Sequence, residues 1–335
     1  MAVKRVGKYT VKFENPPIIA GYASVVGKKE GEGPLADTFD FINQDTHFGQ
    51  KSWEKAESFM QEDALNRAVA KANMKKDDIA CIFGGDLLNQ CIATSFAARE
   101  SNIPFMGLYG ACSTMAEGLI AGSMAIDGGF ADNVAAITSS HFCTAERQYR
   151  YPLEYGGQRT PTAQWTATAS GCAVLSNGGT GPKITHACIG RVIDLGITDT
   201  NNMGAAMAPA ACETLSSFFF ETGMPINSFD LIVTGDLGAI GKNLLIELMN
   251  KDNRDLGQRY NDCGVMLFGA NQDVHSGGSG CGCSAAVLCG HILNNMKNGN
   301  LKKVIFAGTG ALLSPTSSFQ GESVPGICHL VVIEA

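Results

Sequence analysis

A cysteine at a strand-to-helix junction is the residue of this chain best placed to act as a nucleophile. Cys112 follows the short apolar strand Pro104–Leu108 and a glycine turn, and it precedes the helical pattern Met115–Ile126. A thiol at such a position lies against the positive end of the helix dipole, which favours the thiolate and lowers the thiol pKa. The alternative is a structural role, because free cysteines are among the most buried residues in proteins.

Two aspartates occupy matching places further along the chain. Asp86 and Asp236 each follow a predicted strand and precede a predicted helix. Each could cap its helix by accepting hydrogen bonds from free N–H groups. Alternatively, both face one crevice at the carboxyl ends of the strands, where α/β sheets bind ligands. There, two acids could receive a hard cation such as calcium or hydrogen-bond the polar edge of a ligand.

A glycine-rich segment supplies the third group of candidates. In His275–Cys283, Gly278 and Gly280 allow close approach of the backbone to a ligand, and exposed N–H groups could hold an anion. His275 could act as a base or a hydrogen-bond donor near neutral pH, or it could be a surface residue of the loop. The cysteines nearby lack the paired spacing of structural zinc sites, so we expect no intrinsic metal. The residues considered as zinc ligands are Cys281, Cys283, Cys289 and His291.

A polar and aromatic stretch, Arg147–Arg159, continues to Trp165. Arginine beside aromatic rings suits planar carboxylates, through bidentate hydrogen bonds and stacking. A solvated excursion or a subunit contact is the alternative, and the one that we favour.

Composition excludes several classes of function. The chain has 335 residues, 45% of them hydrophobic, and a net charge of −7 without any basic block, which argues against nucleic acid as a partner. The N-terminus lacks the apolar run of a signal peptide, and the stretch Val274–Met296 is interrupted too often by polar residues to cross a membrane. Twelve cysteines without a small-domain disulfide pattern indicate a reducing compartment.

Strands alternate with helices along the whole chain, which predicts an α/β fold with parallel pairing and helices packed on the sheet. The predicted strands are Pro17–Val26, Ile79–Phe83, Pro104–Leu108, Val134–Thr138, Thr168–Leu175, Lys183–Leu195, Leu231–Val233, Val304–Ala307 and Ile327–Ile333. The predicted helices are Trp53–Ala72, Leu87–Glu100, Met115–Ile126, Ala205–Phe220, Ile240–Met249 and Gly282–Met296.

The two halves of the chain resemble each other. Ile79–Leu87 lies over Phe229–Leu237, and Gly129–Ile137 lies over Gly299–Ala307, in the same order and with strand on strand. A duplicated unit explains both matches, and the glycine-rich turn near residue 178 divides the chain almost equally. We therefore predict two domains, residues 1–178 with the Cys112 helix and residues 179–335 with the His275 loop.

These motifs resemble those of the thiolase and ketoacyl-synthase superfamily over nearly the whole chain. Gly110–Thr114 matches the element in which a nucleophilic cysteine opens a helix, and Ala307–Gly310 resembles the glycine-rich loop near the C-terminus. His275–Gly280 resembles the second-half histidine and its Gly-Ser-Gly turn, one residue shorter. The resemblance implies a dimer and a thiolase-like fold, with two duplicated αβαβα halves and mixed, mainly parallel sheets.

Two departures from that pattern predict lost catalysis. Where many condensing enzymes carry a histidine after the second-half strand, this chain has Thr234-Gly-Asp236. Ala307 stands where degradative thiolases have a second cysteine. Claisen chemistry needs an activated nucleophile, an oxyanion site and a base. We therefore expect no catalytic residue, with Cys112 and His275 as vestiges.

A narrower resemblance is to the stage V sporulation protein AD family of endospore-forming bacteria. It rests on Phe83–Gln90, Tyr109–Thr114 and Gly277–Ala285, with the Arg150-Tyr-Pro and Gln164-Trp-Thr stretches. The resemblance implies a protein that binds dipicolinic acid (pyridine-2,6-dicarboxylic acid), alone or as its calcium chelate, and no other cofactor. It implies that small membrane proteins of the same operon are partners, and that the chain associates peripherally with the inner membrane of the forespore or spore. The complex would take the compound into the developing spore and release it at germination.

The ligand hypothesis names a specific set of residues. A rigid aromatic dianion would fill the space left by the missing imidazole, with its carboxylates on backbone N–H groups and any calcium near the two aspartates. One alternative is an active acyltransferase that uses a Cys112 acyl-enzyme. Another is a docking scaffold for membrane partners with an empty pocket. The predicted ligand-binding residues are Asp86, Cys112, Asp236, His275, Gly278 and Gly280.

Overall fold

The computed structural model describes residues 3–149 and 159–335. Its strands are β1 (Thr10–Lys12), β2 (Ile18–Val26), β3 (Phe41–Ile42), β4 (Cys81–Gly85), β5 (Phe105–Gly107), β6 (Asn133–Ser140), β7 (Trp165–Thr166), β8 (Ala169–Ser176), β9 (Lys183–Cys188), β10 (Leu231–Thr234), β11 (Tyr260–Asp262), β12 (Gly278–Ser279), β13 (Lys303–Ala311) and β14 (Gly326–Glu334). Its helices are α1 (Lys28–Gly31), α2 (Trp53–Lys71), α3 (Ile92–Ser101), α4 (Thr114–Asp127), α5 (Phe142–Tyr149), α6 (Met203–Thr222), α7 (Gly238–Lys251), α8 (Cys263–Leu267), α9 (Cys281–Ala286), α10 (Leu293–Lys297) and α11 (Pro315–Phe319).

The main sheet has the same order on both sides of its centre. Outward from the centre the strands run β2-β8-β6-β4-β5 on one side and β9-β14-β13-β10-β11 on the other. The two sides meet where Ile18 pairs with Lys183. The segments whose similarity predicts a duplication therefore form strands in equivalent places, β4 with β10 and β6 with β13. The predicted division at residue 178 lies between β8 and β9.

The sheet is mixed, as expected for the fold, but parallel pairing is less extensive than predicted. β4 pairs in parallel with β5 and β6, and β10 pairs in parallel with β11 and β13. The longer pairs near the centre, β2 with β8, β6 with β8 and β13 with β14, are antiparallel. β2 and β8 are far apart in the chain, and the described connections from β6 to β8 and from β13 to β14 carry the short helices α5 and α11. Strand-helix alternation therefore does not reveal this antiparallel pairing.

Central helices join the two sides of the sheet. α4 contacts β4 and β6 on its own side and β13 and β14 on the other. Residues of α4 and α9 share one buried core with strands from both halves. Outside this layer, α2 packs on β2 and β8, and α6 packs on β13 and β14. Because α4 is covered on both faces, it is apolar almost throughout.

Several helices and strands begin or end at other residues than the sequence predicts, for reasons of local backbone conformation. The helix predicted from Leu87 begins only at Ile92, because Gln90 and Cys91 have positive φ values of 59° and 51°. The strand predicted as Lys183–Leu195 ends at Cys188. The last long helix contains a π-helical turn, Val287–Ile292, between α9 and α10.

In the described part of the chain, none of the helices has the length and apolar character needed to cross a bilayer.

Candidate functional site

The Cys112 turn is built as the sequence predicts, with β5 leading through a short 3₁₀ turn, Ala111–Ser113, into α4. Ala111 has a φ of 50°, in the left-handed region that a non-glycine residue adopts at some cost. The glycine-rich end of β13 lies against this turn. A Cβ atom on Gly310 would lie 2.4 Å from the Gly110 carbonyl oxygen and 3.3 Å from the Cys112 nitrogen, so the contact requires glycine.

The thiol of Cys112 is protonated, contrary to the prediction from the helix dipole. Burial raises its pKa well above the usual value, and the charge of Asp236 and the neighbouring Cys281 raise it further. The buried Asp236 carboxylate favours the protonated thiol, while the Gly280 N–H group acts in the opposite direction. The thiolate that the helix dipole favours is therefore not the stable form, because desolvation and a buried negative charge outweigh the partial charges at the start of α4.

Asp236 is held by donors from three parts of the chain. Its Oδ2 atom accepts hydrogen bonds from the Gly280 N–H at 2.9 Å and from the Ser279 hydroxyl at 3.2 Å. Its Oδ1 atom accepts from the Thr309 hydroxyl at 2.9 Å. Burial raises the pKa of this carboxyl, and these donors and the Cys112 thiol favour its ionised form. The Gly280 N–H, predicted to hold a ligand, thus serves Asp236.

Asp236 precedes α7 and could cap that helix, but it does not. Asp262 performs that role for α7, because its carboxylate accepts hydrogen bonds from the N–H groups of Leu237 at 2.8 Å and Gly238 at 3.0 Å. Burial raises the pKa of Asp262 to about 7. Sequence reasoning missed Asp262 because the three-residue strand β11 has no apolar run to mark it.

Asp86, in contrast, does cap its helix. Its carboxylate accepts hydrogen bonds from the N–H of Leu88 at 2.9 Å, the N–H of Thr94 at 2.8 Å and the Thr94 hydroxyl at 2.6 Å. Burial raises the pKa of Asp86. Its negative charge and that of Asp236 both raise the pKa of Cys281, after the larger effect of burial. Both aspartates thus lie within electrostatic reach of the same thiol.

A buried polar network adjoins Asp86, and sequence reasoning missed it. Gln61 donates hydrogen bonds to the hydroxyls of Thr94 at 2.8 Å and Ser139 at 2.6 Å. Ser139 donates in turn to the Glu57 carboxylate at 2.9 Å, whose pKa is raised by burial and then by the charge of Asp86. The sequence did contain a signal for this network, because Glu57 and Gln61 are polar residues four positions apart within the apolar face of α2.

His275 lies on a surface loop, which was the alternative to a role as base or hydrogen-bond donor. It is exposed, and its Nε2 atom lies 3.3 Å from an Asp273 carboxylate oxygen. Gly278 belongs to β12, which pairs with β7. Within the described residues, no three His, Cys, Asp or Glu side chains come together as a metal site requires. The stretch Arg150-Tyr-Pro lies outside those residues.

A cavity of about 140 Å³ opens in front of Cys112. Its volume is comparable to that of an engineered cavity of roughly 150 Å³ that holds a benzene ring. Of the predicted ligand-binding residues, only Cys112 is in its lining; Asp86, Asp236, His275, Gly278 and Gly280 are not. Asp236 lies behind the lining, since its carboxylate accepts a hydrogen bond from the lining residue Ser279. The described lining consists of Leu87, Ala111, Cys112, Ala145, Glu146, Tyr149, Thr166, Thr200, Asn201, Met203, Ser279, Ala311, Leu313, Pro315, Ser318 and Phe319.

The charge of the described part of the lining is one-sided. Among its described members, Glu146 carries a formal charge, and none is a lysine, an arginine or a histidine. The remainder are apolar, hydroxyl or amide side chains, and Asp236 adds a second negative charge behind them. A negatively charged ligand therefore meets no cation from the described wall.

Comparison with known proteins identifies the family. The model of the family described as stage V sporulation protein AD (SpoVAD) matches residues 7–334. Stage V sporulation protein AD of Bacillus subtilis strain 168 is 45% identical over 332 residues, which are 99% of this chain and 98% of that protein. The chain belongs to the stage V sporulation protein AD family.

Solved structures similar to this family member have the thiolase-like fold. The crystal structure of OleA from Xanthomonas campestris with bound cerulenin has a TM-score of 0.63 at 13% identity, over 97% of this chain and 100% of that one. The 3-oxoacyl-[acyl-carrier-protein] synthase III of Aquifex aeolicus VF5 has a TM-score of 0.57 at 12% identity, over 95% and 100%. At such identities the likeness confirms the fold alone.

Proposed function

We propose that this chain is a non-catalytic, thiolase-like binding protein for dipicolinic acid or its calcium chelate. In this role it serves uptake of the compound into the developing spore and its release at germination. Membership of the sporulation family supports the setting. The observation that carries the proposal is the Cys112 cavity, beside which the buried Asp236 carboxylate favours the protonated form of the thiol.

The same geometry argues against acyl transfer. The nucleophile in such chemistry is the thiolate, and a neighbouring imidazole normally removes its proton. Here the neighbour is Asp236, whose negative charge opposes ionisation of Cys112. The described lining of the cavity contains no histidine that could act as the base. The site can therefore hold a ligand without attacking it.

Electrostatics favour the chelate as the bound form. Free dipicolinate is a dianion near neutral pH, and the Asp236 carboxylate behind the lining would repel it. Calcium bound between its carboxylates cancels the ligand charge. In this proposal calcium is cargo that enters with the ligand, and the chain needs no cofactor. The remaining partners proposed are small membrane proteins of the same operon at the spore inner membrane, and a second copy of the chain.

Titration calorimetry with purified protein tests the proposal directly. We expect heat of binding with dipicolinic acid plus calcium, and less with the acid alone. Ser318→Leu fills the cavity and should weaken binding at least about tenfold. Ser317→Leu is the matched control, since Ser317 is on the same helix but outside the lining. Absence of heat with the acid, with or without calcium, contradicts the proposal.

The rival function is an acyltransferase, because the similar solved structures include condensing enzymes. Incubation with acetyl-coenzyme A followed by intact mass measurement separates the two. An acyl-enzyme at Cys112 would add about 42 Da. We expect no adduct on the wild type.

A docking scaffold with an empty pocket is the third function considered. It predicts that Cys112→Ser and Ser318→Leu leave spore dipicolinate content unchanged. Ligand binding predicts lower content at normal protein level.

A further inference from the structure

Two connections at equivalent places in the sheet contribute residues to the cavity lining. The first follows β6 and leads to β8, beyond the pair Ser140–Ala169. The second, residues 312–325, connects β13 to β14, beyond the pair Ala311–Gly326. In the symmetric strand order these two connections correspond to each other. Each places an aromatic side chain in the cavity lining, Tyr149 from α5 in the first and Phe319 from α11 in the second.

Tyr149 is the fixed side of this pair. Its hydroxyl donates a hydrogen bond to the Leu87 carbonyl at 2.6 Å and lies 3.1 Å from the Tyr109 hydroxyl. Burial raises the pKa of Tyr149, so its hydroxyl remains protonated and keeps this bond. The ring therefore forms a rigid wall of the cavity.

Phe319 is the free side of the pair. It lines the cavity, yet 87% of its surface is exposed, and α11 has no buried residue. The two ends of residues 312–325 are joined by a hydrogen bond from the Leu312 N–H to Pro325, and the Val324 N–H and the Ser323 hydroxyl bond Ile197 and Asp194. In the described structure, the backbone hydrogen bonds of residues 314–322 stay within that segment.

An exposed phenylalanine beside a cavity is stabilised when its ring leaves water and covers the apolar surface of a ligand. Aromatic rings also prefer offset stacked or edge-to-face contact with another ring. We propose that Phe319 closes over the face of a planar aromatic ligand in the cavity whose wall includes Tyr149, and thereby selects an aromatic over a saturated dicarboxylic acid. This inference rests on the proposed function, and it adds the residue that sets ring selectivity.

The test compares two acids that share their carboxylate spacing. Pyridine-2,6-dicarboxylic acid and the saturated piperidine-2,6-dicarboxylic acid are titrated, each with calcium, into wild type and Phe319→Ala. We expect the wild type to bind the aromatic acid at least about tenfold more tightly, and Phe319→Ala to lose most of that preference. The control is Phe130→Ala, since Phe130 is equally exposed at 87% but lies outside the cavity lining.

A second variant reports the contact between residue 319 and the ligand by fluorescence. Phe319→Trp keeps a ring at the mouth, so its extra tryptophan emission should change when the aromatic acid is added. Unchanged emission, or a wild-type preference that survives in Phe319→Ala, overturns the inference but leaves the proposed function standing. Equal binding of the two acids by wild type likewise overturns the inference and leaves the proposed function standing. Failure of wild type to bind either acid overturns both.

Discussion

Asp236 determines the chemistry of its neighbour Cys112. An imidazole at this place would take the thiol proton and leave a reactive ion pair. A buried carboxylate instead favours the protonated thiol, because it opposes a second negative charge beside it. The residue type at this place therefore decides how readily the sulfur of Cys112 ionises.

Asp236→Asn should make Cys112 more reactive. The substitution removes the buried charge, so the thiol pKa falls and alkylation by iodoacetamide between pH 7 and 9 becomes several-fold faster. Peptide-level mass spectrometry measures the rate at Cys112. Thr309→Val is the control, because it removes a donor to Asp236 but keeps the charge. Equal rates in Asp236→Asn and wild type would contradict this electrostatic account.

Glu30 should make stability depend on pH. This buried carboxyl accepts a hydrogen bond from the Thr168 N–H at 2.9 Å, and burial raises its pKa from 4.5 to about 7. The folded state then holds the proton more tightly than the unfolded state, so the stabilisation is fully present below pH 4.5 and is lost as the pH rises through about 7.

Glu30→Gln removes this dependence. Its free energy of unfolding relative to wild type should rise by about 2–3 kcal/mol between pH 5 and pH 8, measured by urea denaturation. A difference that stays constant across these pH values would show that Glu30 does not titrate in this range.

At the level of elements, periodicity predicts where the helices and strands lie but not how their ends are shaped. The helix after β4 starts late because Asp86 bonds the N–H groups of Leu88 and Thr94 across a turn with positive φ. The apolar run Gly282–Met296 predicts one helix. The sequence pattern does not reveal its π turn, because π and α turns bury the same residue types. These deviations depend on partners distant in sequence.

The contact between the end of β13 and the Cys112 turn should not tolerate a side chain. Gly310→Ala would place a Cβ atom 2.4 Å from the Gly110 carbonyl oxygen, and the backbone must shift to accept it. We expect the free energy of unfolding to fall by about 1–3 kcal/mol. Gly178→Ala is the control, because nothing lies within 4 Å of its Cβ position. Chemical denaturation of both variants measures the difference, and equal effects would refute the close approach.

At the scale of the whole molecule, the two halves share their core. α4 belongs to the first half but packs against β13 and β14 of the second, with Leu119 and Ile120 buried. A half expressed alone would expose this helix to water. The internal repeat therefore marks a duplicated unit without making either copy self-sufficient.

Fragments 1–178 and 179–335 should each fail to unfold cooperatively when produced separately. The lost contacts of α4 leave a large apolar surface exposed in either fragment. Urea denaturation followed by circular dichroism is the measurement, and the two fragments produced together serve as the control. A sharp transition in an isolated fragment would show that the halves are independent domains.

Features carried by neighbouring residues could be predicted from the chain alone. The thiol turn, the strand-helix alternation, the repeat and the aspartate at the expected histidine position are all properties of short segments. The effect of Asp236 on the pKa of Cys112, and the presence of Tyr149 and Phe319 in one cavity lining, depend on residues more than a hundred positions apart. Such contacts exist only once the sheet has brought the segments together, because desolvation and charge depend on neighbours in space.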